Sequence, residues 1–116
     1  MTKPVGAYTP IVRAGDWLIT SGQIGIFEGE IVTGGFDDQL TQAIDNIETL
    51  LQSKGAELSN VVKTTVFLRH MGDYDVLNRI WADRFGETPP ARTAFAVSEL
   101  PLHALVEVEA WAYTGP

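Results

Sequence analysis

The segment "LVEVEAWAY", residues 105–113, alternates strictly between two sets of side chains. One set is small and apolar, whereas the other combines carboxylates with large apolar residues. The first set is Val106, Val108, Ala110 and Ala112, and the second is Leu105, Glu107, Glu109, Trp111 and Tyr113. This period of two predicts a β-strand of which one face lies on a core and the other also carries apolar area.

Two amphipathic helices are predicted upstream of this strand. The first runs from Asp38 to Lys54, and either Asp37 or Asp38 is expected to cap its start. Gly55 is expected to provide the left-handed residue that ends it. A second helix is predicted from Asp73 to about Phe85. The apolar stripes are Leu40, Ala43, Ile44, Ile47, Leu50 and Leu51 in the first helix, and Tyr74, Leu77, Trp81 and Phe85 in the second.

The remaining segments predict further strands. "PIVRAGDWLITSGQ" has apolar runs on both sides of a short turn at Ala14-Gly15-Asp16, and "IFEGEIV" predicts a weaker hairpin that turns at Gly29. β-branched residues predict a strand over residues 61–68, and another is predicted from Arg92 to Val97. The order of strands, helix, strand, helix and strands predicts an α+β fold with two helices on one face of a single sheet.

Composition limits the possible functions. The 116 residues suit one domain, 1–116, and the absence of cysteine favours a reducing, cytoplasmic location. No stretch resembles a secretory signal or a membrane span. The net charge of −7 argues against nucleic acid as a partner but allows a small anion bound by one arginine.

The second face of the predicted sheet needs a cover. Leu105, Trp111 and Phe67 are expected there, on the side that the helices leave open. Another copy of the chain is the simplest cover, so we expect a closed, symmetric homo-oligomer.

Arg92, in "TPPARTAF" at residues 88–95, is the most informative charged residue. Its planar guanidinium fits a carboxylate or a phosphate, so it is either a structural clamp or a ligand clamp. If the last two strands form an antiparallel hairpin centred between Glu99 and Leu100, Arg92 stands opposite Glu107. A slip of two residues would offer Glu109 instead, and strands that are not neighbours would offer neither.

Other candidate sites are weaker. The loop "TSGQIG", residues 20–25, lacks the glycine spacing and the lysine of a nucleotide loop, so a tight turn is the better prediction. His70 and His103 lie far from any carboxylate pair with metal-ligand spacing. No serine lies in a nucleophile elbow. We therefore expect neither a metal site nor covalent catalysis.

Taken together, these segments resemble the reactive intermediate deaminase family, also called RidA or YjgF. The resemblance covers nearly the entire chain, and its most specific part is Pro-Ala-Arg followed by Leu-Val-Glu-Val-Glu-Ala. The segments that carry it are "GAYTPIVRAGDWLITSGQIG", "AIDNIETLLQSKGAELSNVVKTTVFL", "YDVLNRIWADRFGETPPAR" and "LPLHALVEVEAWA".

The resemblance implies a chorismate-mutase-like α+β fold and a homotrimer with a barrel-like core and three sites in the clefts between subunits. It also implies hydrolysis of enamines and imines such as 2-aminoacrylate to 2-keto acids and ammonia, without a metal or organic cofactor. The alternative is a trimer that binds a keto acid or related metabolite in the same cleft without turnover. A nuclease, as claimed for some relatives, fits poorly with the acidic charge.

The resemblance also assigns roles to individual residues. Arg92 matches the arginine that holds the substrate carboxylate, and Glu107 matches the glutamate that orients or activates water. The positions that line the pocket are Tyr8, Ser21, Gly22, Asn78 and Ala94. The chain departs from the family pattern at three positions: Ala7 and Gly25 stand where proline is usual, and Ala94 stands where several members have cysteine.

Overall fold

The computed structural model describes residues 6–116, so the first five residues of the stretch inspected for a secretory signal lie outside it. Within this range the chain forms eight strands and two α-helices. The strands are β1 Ile11–Ala14, β2 Trp17–Thr20, β3 Gln23–Ile24, β4 Ile26–Phe27, β5 Glu30–Ile31, β6 Val61–Leu68, β7 Ala91–Ala96 and β8 Val106–Tyr113. The helices are α1 Phe36–Gln52 and α2 Tyr74–Phe85.

Both predicted hairpins are confirmed. β1 pairs with β2 across a turn in which Gly15 has a φ of 62°. β4 pairs with β5 across Glu28 and Gly29, whose φ values of 52° and 87° are both positive. Two consecutive positive φ angles match the right-handed twist of the flanking strands, which explains the glycine at the second position.

The two predicted helices are confirmed, but the predicted cap of α1 is wrong. The helix begins at Phe36, with Gly35 as its N-cap and no side-chain capping hydrogen bond. Asp37 and Asp38 therefore lie in the first turn, where the helix dipole favours negative charge. The early start brings Phe36 into the core. Gly55 adopts the expected left-handed conformation just after the helix, with a φ of 78°.

One mixed sheet holds the fold together. Its strand order is β1-β2-β8-β6-β7, and β3 adds to the free part of β8. All pairs are antiparallel except β6 with β7, which are joined by α2. A parallel pair needs a crossover of this kind, so α2 is brought onto the sheet by its connections.

The predicted antiparallel hairpin of the last two strands is wrong, because β6 lies between them. Arg92 is level with Thr64 on β6, and Glu107 is level with Phe67 on the same strand. The connection from β7 to β8 passes over the end of β6, where the Val97 N–H donates to Leu68 O at 2.8 Å. Arg92 therefore has neither Glu107 nor Glu109 as its strand neighbour.

Both helices contribute to a core on one face of the sheet, as expected. The small set of β8 residues is buried in this core, together with side chains of α1, α2, β2 and β6. Representative fully buried residues are Leu18, Leu40, Ile47, Val66, Leu77 and Val108. Neither helix within residues 6–116 has the length and apolar content that a membrane span requires.

The opposite face of the sheet carries Phe67 and Trp111 and is uncovered in the single chain, as predicted, but Leu105, which was also expected there, packs against the core on the helix side. Trp111 is 43% exposed and Phe95 is 44% exposed. Phe95 makes an edge contact with Phe67, with ring centroids 5.4 Å apart, and Trp17 makes a similar contact with Trp111 at 6.0 Å. We refer to the face that carries Phe67, Phe95 and Trp111 as the open face.

Candidate functional site

Arg92 lies on the edge strand β7, and its side chain is directed toward α2. Its Nη2 donates to Asn78 Oδ1 at 2.6 Å and to the Tyr74 hydroxyl at 3.3 Å. The guanidinium carbon lies 5.3 Å from the ring centroid of Trp81 and 5.5 Å from that of Tyr74. Both distances are within the range of a cation–π interaction. Arg92 is therefore held by side chains on one face of α2, and none of these side chains is a carboxylate.

Most of the hydrogen-bonding capacity of Arg92 is not used by residues 6–116. Both of its hydrogen bonds leave from Nη2, so Nε and Nη1 have no protein partner within residues 6–116. These nitrogens carry three of the five N–H donors of a guanidinium. A half-buried arginine with one nitrogen fixed and the others open is suited to bind an anion.

Glu107 belongs to a second group of residues, around the start of β8. Its side chain lies against Gly22, where an added Cβ would be only 2.7 Å from the carboxyl carbon. A side chain at position 22 would therefore displace the Glu107 carboxyl group from this place. Burial raises the pKa of Glu107 above its ordinary value of 4.5, and the nearby charge of Glu109 raises it further.

Ser21 and Tyr8 are adjacent to this second group. The Ser21 hydroxyl donates to Thr9 O at 2.7 Å, and the Ser21 N–H donates to Pro10 O at 2.8 Å. These bonds hold the segment that contains Tyr8 beside the segment that contains Gly22. Tyr8 is 42% exposed. The predicted tight turn at "TSGQIG" is wrong: the stretch runs from the end of β2 at Thr20 through a short link into β3.

The two groups lie on opposite faces of the sheet. Arg92 is level with Thr64 on β6, which is level with Ala110 on β8, and laterally paired residues share a face. Thr64 and Ala110 are both buried on the helix side. Glu107 is three residues from Ala110 on β8, and side chains of a strand alternate between its faces. Glu107 therefore projects from the open face. Within one chain the expected contact between Arg92 and Glu107 does not form.

The seven candidate residues thus separate into two half-sites. The arginine half-site contains Arg92, Asn78 and Ala94, and Ala94 packs against the core below the same helix face. The glutamate half-site contains Glu107, Gly22, Ser21 and Tyr8. Tyr74 and Trp81 belong to the arginine half-site but were not singled out from the sequence. Their spacing from Asn78 was a usable signal, because residues 74, 78 and 81 lie on one helix face.

Gly25, which departs from the family pattern, has a steric reason to be glycine. An added Cβ would lie 2.6 Å from the backbone of Gln39 on α1. The same helix fixes this region twice more: Asn46 Nδ2 donates to Ile26 O at 2.9 Å, and Gln39 Oε1 accepts from the Leu105 N–H at 2.8 Å. α1 therefore sets the position of the link between β3 and β4.

The described side chains offer no ready metal site. Among residues 6–116, no group of three or more His, Asp or Glu side chains could hold a metal ion.

One mixed sheet with two helices on a single face defines the chorismate-mutase-like α+β class. The chain belongs to a family described as Endoribonuclease L-PSP, whose model matches residues 1–114. The resemblance to the RidA/YjgF proteins is thereby confirmed.

Individual relatives match over nearly their whole length. A RutC family protein of Pyrococcus horikoshii is 44% identical over 113 residues, which are 96% of this chain and 90% of the relative. The mouse 2-iminobutanoate/2-iminopropanoate deaminase is 38% identical over 114 residues, 97% of this chain and 84% of the relative. The crystal structure of RidA from an Antarctic Psychrobacter superposes with a TM-score of 0.92 at 34% identity, covering 96% of this chain and 91% of that one.

Proposed function

We propose that the protein hydrolyses small enamine and imine acids, such as 2-aminoacrylate and its imine tautomer, to 2-keto acids and ammonia. The observation that carries the proposal is Arg92, which is fixed by Nη2 and whose donors on Nε and Nη1 have no partner among residues 6–116. Those donors fit the substrate carboxylate. The mouse relative named as a 2-iminobutanoate/2-iminopropanoate deaminase supports this substrate class.

The complete site forms between subunits of a homotrimer. Two observations support this arrangement: the half-sites of one chain are on opposite faces of its sheet, and the open face carries exposed aromatic residues. A closed ring of three copies covers every open face. It also places the arginine half-site of one subunit against the glutamate half-site of the next.

The reaction requires little more than orientation and proton transfer. The enamine first tautomerises to an imine, whose carbon is electrophilic. Water adds across the C=N bond to give a carbinolamine, which releases ammonia and leaves the keto acid. Glu107 carries a proton from the attacking water to the imine nitrogen and then carries the hydroxyl proton of the carbinolamine to the departing nitrogen. Its raised pKa brings it closer to the working pH than an exposed carboxylate would be.

The remaining pocket residues have supporting roles in the proposal. Ser21 and Gly22 form the wall beside Glu107, and Tyr8 lies at the mouth of the cleft. Ala94 has no side-chain chemistry, so its backbone carbonyl orients the water. Asn78 acts through Arg92, to which its amide oxygen is bound. No residue of this set requires a cofactor for the reaction as written.

The second candidate function is a trimer that binds a keto acid without turnover. Arg92 favours it as much as it favours catalysis, because the same donors hold the carboxylate of a substrate and of a product. The family description suggests a third candidate, RNA cleavage, but the net charge of −7 opposes binding to a polyanion. A cytoplasmic location, favoured by the absence of cysteine, stays a prediction.

The experiment is ammonia release from 2-aminoacrylate generated in the same vessel by a serine dehydratase. We expect release in excess of the spontaneous rate with the wild-type chain and none in excess with Arg92→Ala. Fold and assembly are checked on both proteins by circular dichroism and light scattering. Arg92-dependent binding of 2-oxobutanoate without ammonia release would favour the binding trimer. Salt-sensitive RNA binding with cleavage would favour the nuclease.

A further inference from the structure

We infer that Tyr74 and Trp81 are positioning residues that fix the Arg92 guanidinium before a carboxylate binds. The inference rests on the proposed function for the identity of the ligand. It adds two residues that the resemblance did not assign. Both residues act through Arg92 and do not themselves contact the reacting atoms.

The geometry gives each aromatic residue a distinct role. Trp81 is 4% exposed and lies under the guanidinium as a buried floor, whereas Tyr74 is 38% exposed and stands at the rim. Tyr74 also binds Nη2 through its hydroxyl, beside the Asn78 amide oxygen. The planar cation is therefore restrained by two ring faces and by two hydrogen bonds from one nitrogen.

Such restraint matters because arginine is long and flexible. An unrestrained side chain on an edge strand loses rotamer freedom when it binds a ligand, and this loss weakens affinity. α2 supplies the restraint in advance, because Tyr74, Asn78 and Trp81 follow one another on the face above β7. The open donors on Nε and Nη1 then meet the carboxylate in a fixed orientation.

Trp81 has a feature that separates positioning from simple packing. Its Nε1 is buried and has no hydrogen-bond partner within residues 6–116. An unsatisfied buried donor is destabilising, so the indole N–H does not explain the presence of tryptophan here. The electron-rich face of the indole ring explains the tryptophan, because tryptophan binds a cation more strongly than phenylalanine does. Trp81→Phe removes the unsatisfied donor and weakens the interaction with Arg92.

The first test is calorimetric binding of 2-oxobutanoate, a stable keto acid, to the assembled protein. We expect Tyr74→Phe and Trp81→Phe each to weaken binding about three- to tenfold, the range for one lost hydrogen bond or cation–π contact. Thermal stability should stay near that of wild type in Tyr74→Phe, whereas Trp81→Phe makes a buried side chain smaller, so its binding is compared at a temperature at which circular dichroism shows that it is folded. Tyr113→Phe is the matched control, because it removes a hydroxyl from the far end of β8, and it should bind as wild type does.

The second test uses a double mutant to show that the effect runs through the guanidinium. In the Arg92→Lys background, Tyr74→Phe should produce no further loss, because lysine lacks the planar group that Tyr74 holds. Losses that multiply in the double mutant would overturn the inference. Unchanged binding by both aromatic variants, with folding intact, would overturn it as well.

The inference and the proposed function fail in different ways. Arg92-dependent binding without ammonia release contradicts the proposed function, yet the aromatic variants still test the positioning. If the wild-type protein does not bind 2-oxobutanoate, the positioning of Arg92 can still be tested in the free protein by nitrogen NMR of its side chain. We expect hindered rotation of the guanidinium in wild type and faster rotation in Trp81→Phe and Tyr74→Phe. Equal rotation in all three would overturn the inference.

Discussion

Arg92 and Glu107 project from opposite faces of one sheet, with β6 between their strands. One chain therefore presents the proposed carboxylate-binding group on its helix side and the proposed proton-transfer group on its open face. Each half-site is incomplete without the other. The proposed reaction therefore requires the two half-sites to meet from different copies of the chain.

Arg92→Lys tests whether the planar guanidinium is required. Lysine keeps the charge but loses both the stacking between the rings and the multiple donors, so we expect turnover of 2-aminoacrylate to fall by about 30-fold or more. Arg79→Lys on the same helix is the control, since Arg79 forms a surface ion pair with Asp37 at 3.2 Å outside the site. A wild-type rate for Arg92→Lys would mean that charge alone is sufficient.

Glu107→Gln tests the proton-transfer role. The amide fills the same space against Gly22 but cannot accept a proton from water, so kcat should fall by about 100-fold or more. Affinity for 2-oxobutanoate should change much less, because the carboxylate is held by Arg92. An unchanged kcat would assign Glu107 to structure.

The pH dependence of kcat tests the environment of Glu107. Its pKa is raised above 4.5 by burial and then by Glu109, so the carboxylate form is lost as pH falls through that higher value. Activity should therefore decline on the acid side, with a midpoint that burial and Glu109 raise and that the positive charge of a neighbouring subunit's Arg92 lowers. Glu109→Gln removes the second cause and should move the midpoint to lower pH with little effect on the plateau. A midpoint unaffected by Glu109→Gln would contradict this assignment.

Phe95→Glu tests whether the open face is buried by assembly. A charge buried within an apolar interface is costly, so we expect the proposed trimer to dissociate or weaken, as measured by sedimentation. Phe27→Glu is the matched control, because Phe27 is 55% exposed on the β4–β5 hairpin, away from the sheet. If both variants sediment as wild type does, another surface makes the interface.

Gly25→Ala tests the steric reason for the departure from proline. The added Cβ meets the Gln39 backbone at 2.6 Å, which a flexible side chain cannot relieve, so we expect a loss of about 1–3 kcal/mol in the free energy of unfolding. Gly72→Ala is the control, since nothing lies within 4 Å of an added Cβ there. Equal stability of both variants would show that α1 and the β3–β4 link can separate.

Local patterns in the sequence were sufficient for most of the elements. β6 follows from its β-branched run, and both helices follow from apolar stripes at three- and four-residue spacing, because these signals depend on near neighbours. The predicted cap of α1 was wrong because burial of Phe36 makes the helix start earlier. Both aspartates therefore lie in its first turn.

The order of the last strands could not be derived in the same way. Whether β7 pairs with β8 or with β6 depends on the crossover through α2, which is a relation between distant segments. The error carried over to the site, since it placed Arg92 beside Glu107. The contacts of Tyr74 and Trp81 with Arg92 were not predicted for the same reason, although the spacing of these two residues on one helix face could be read from the sequence.

The most direct measurement of the central claim is complementation between two inactive variants. Arg92→Ala and Glu107→Gln chains are unfolded together, refolded as a mixture and assayed for ammonia release, with each variant refolded alone as a control. If every site combines Arg92 of one subunit with Glu107 of its neighbour, random assembly restores about a quarter of the wild-type activity. If the mixture assembles and is as inactive as the separate variants, the two residues do not act across a subunit boundary.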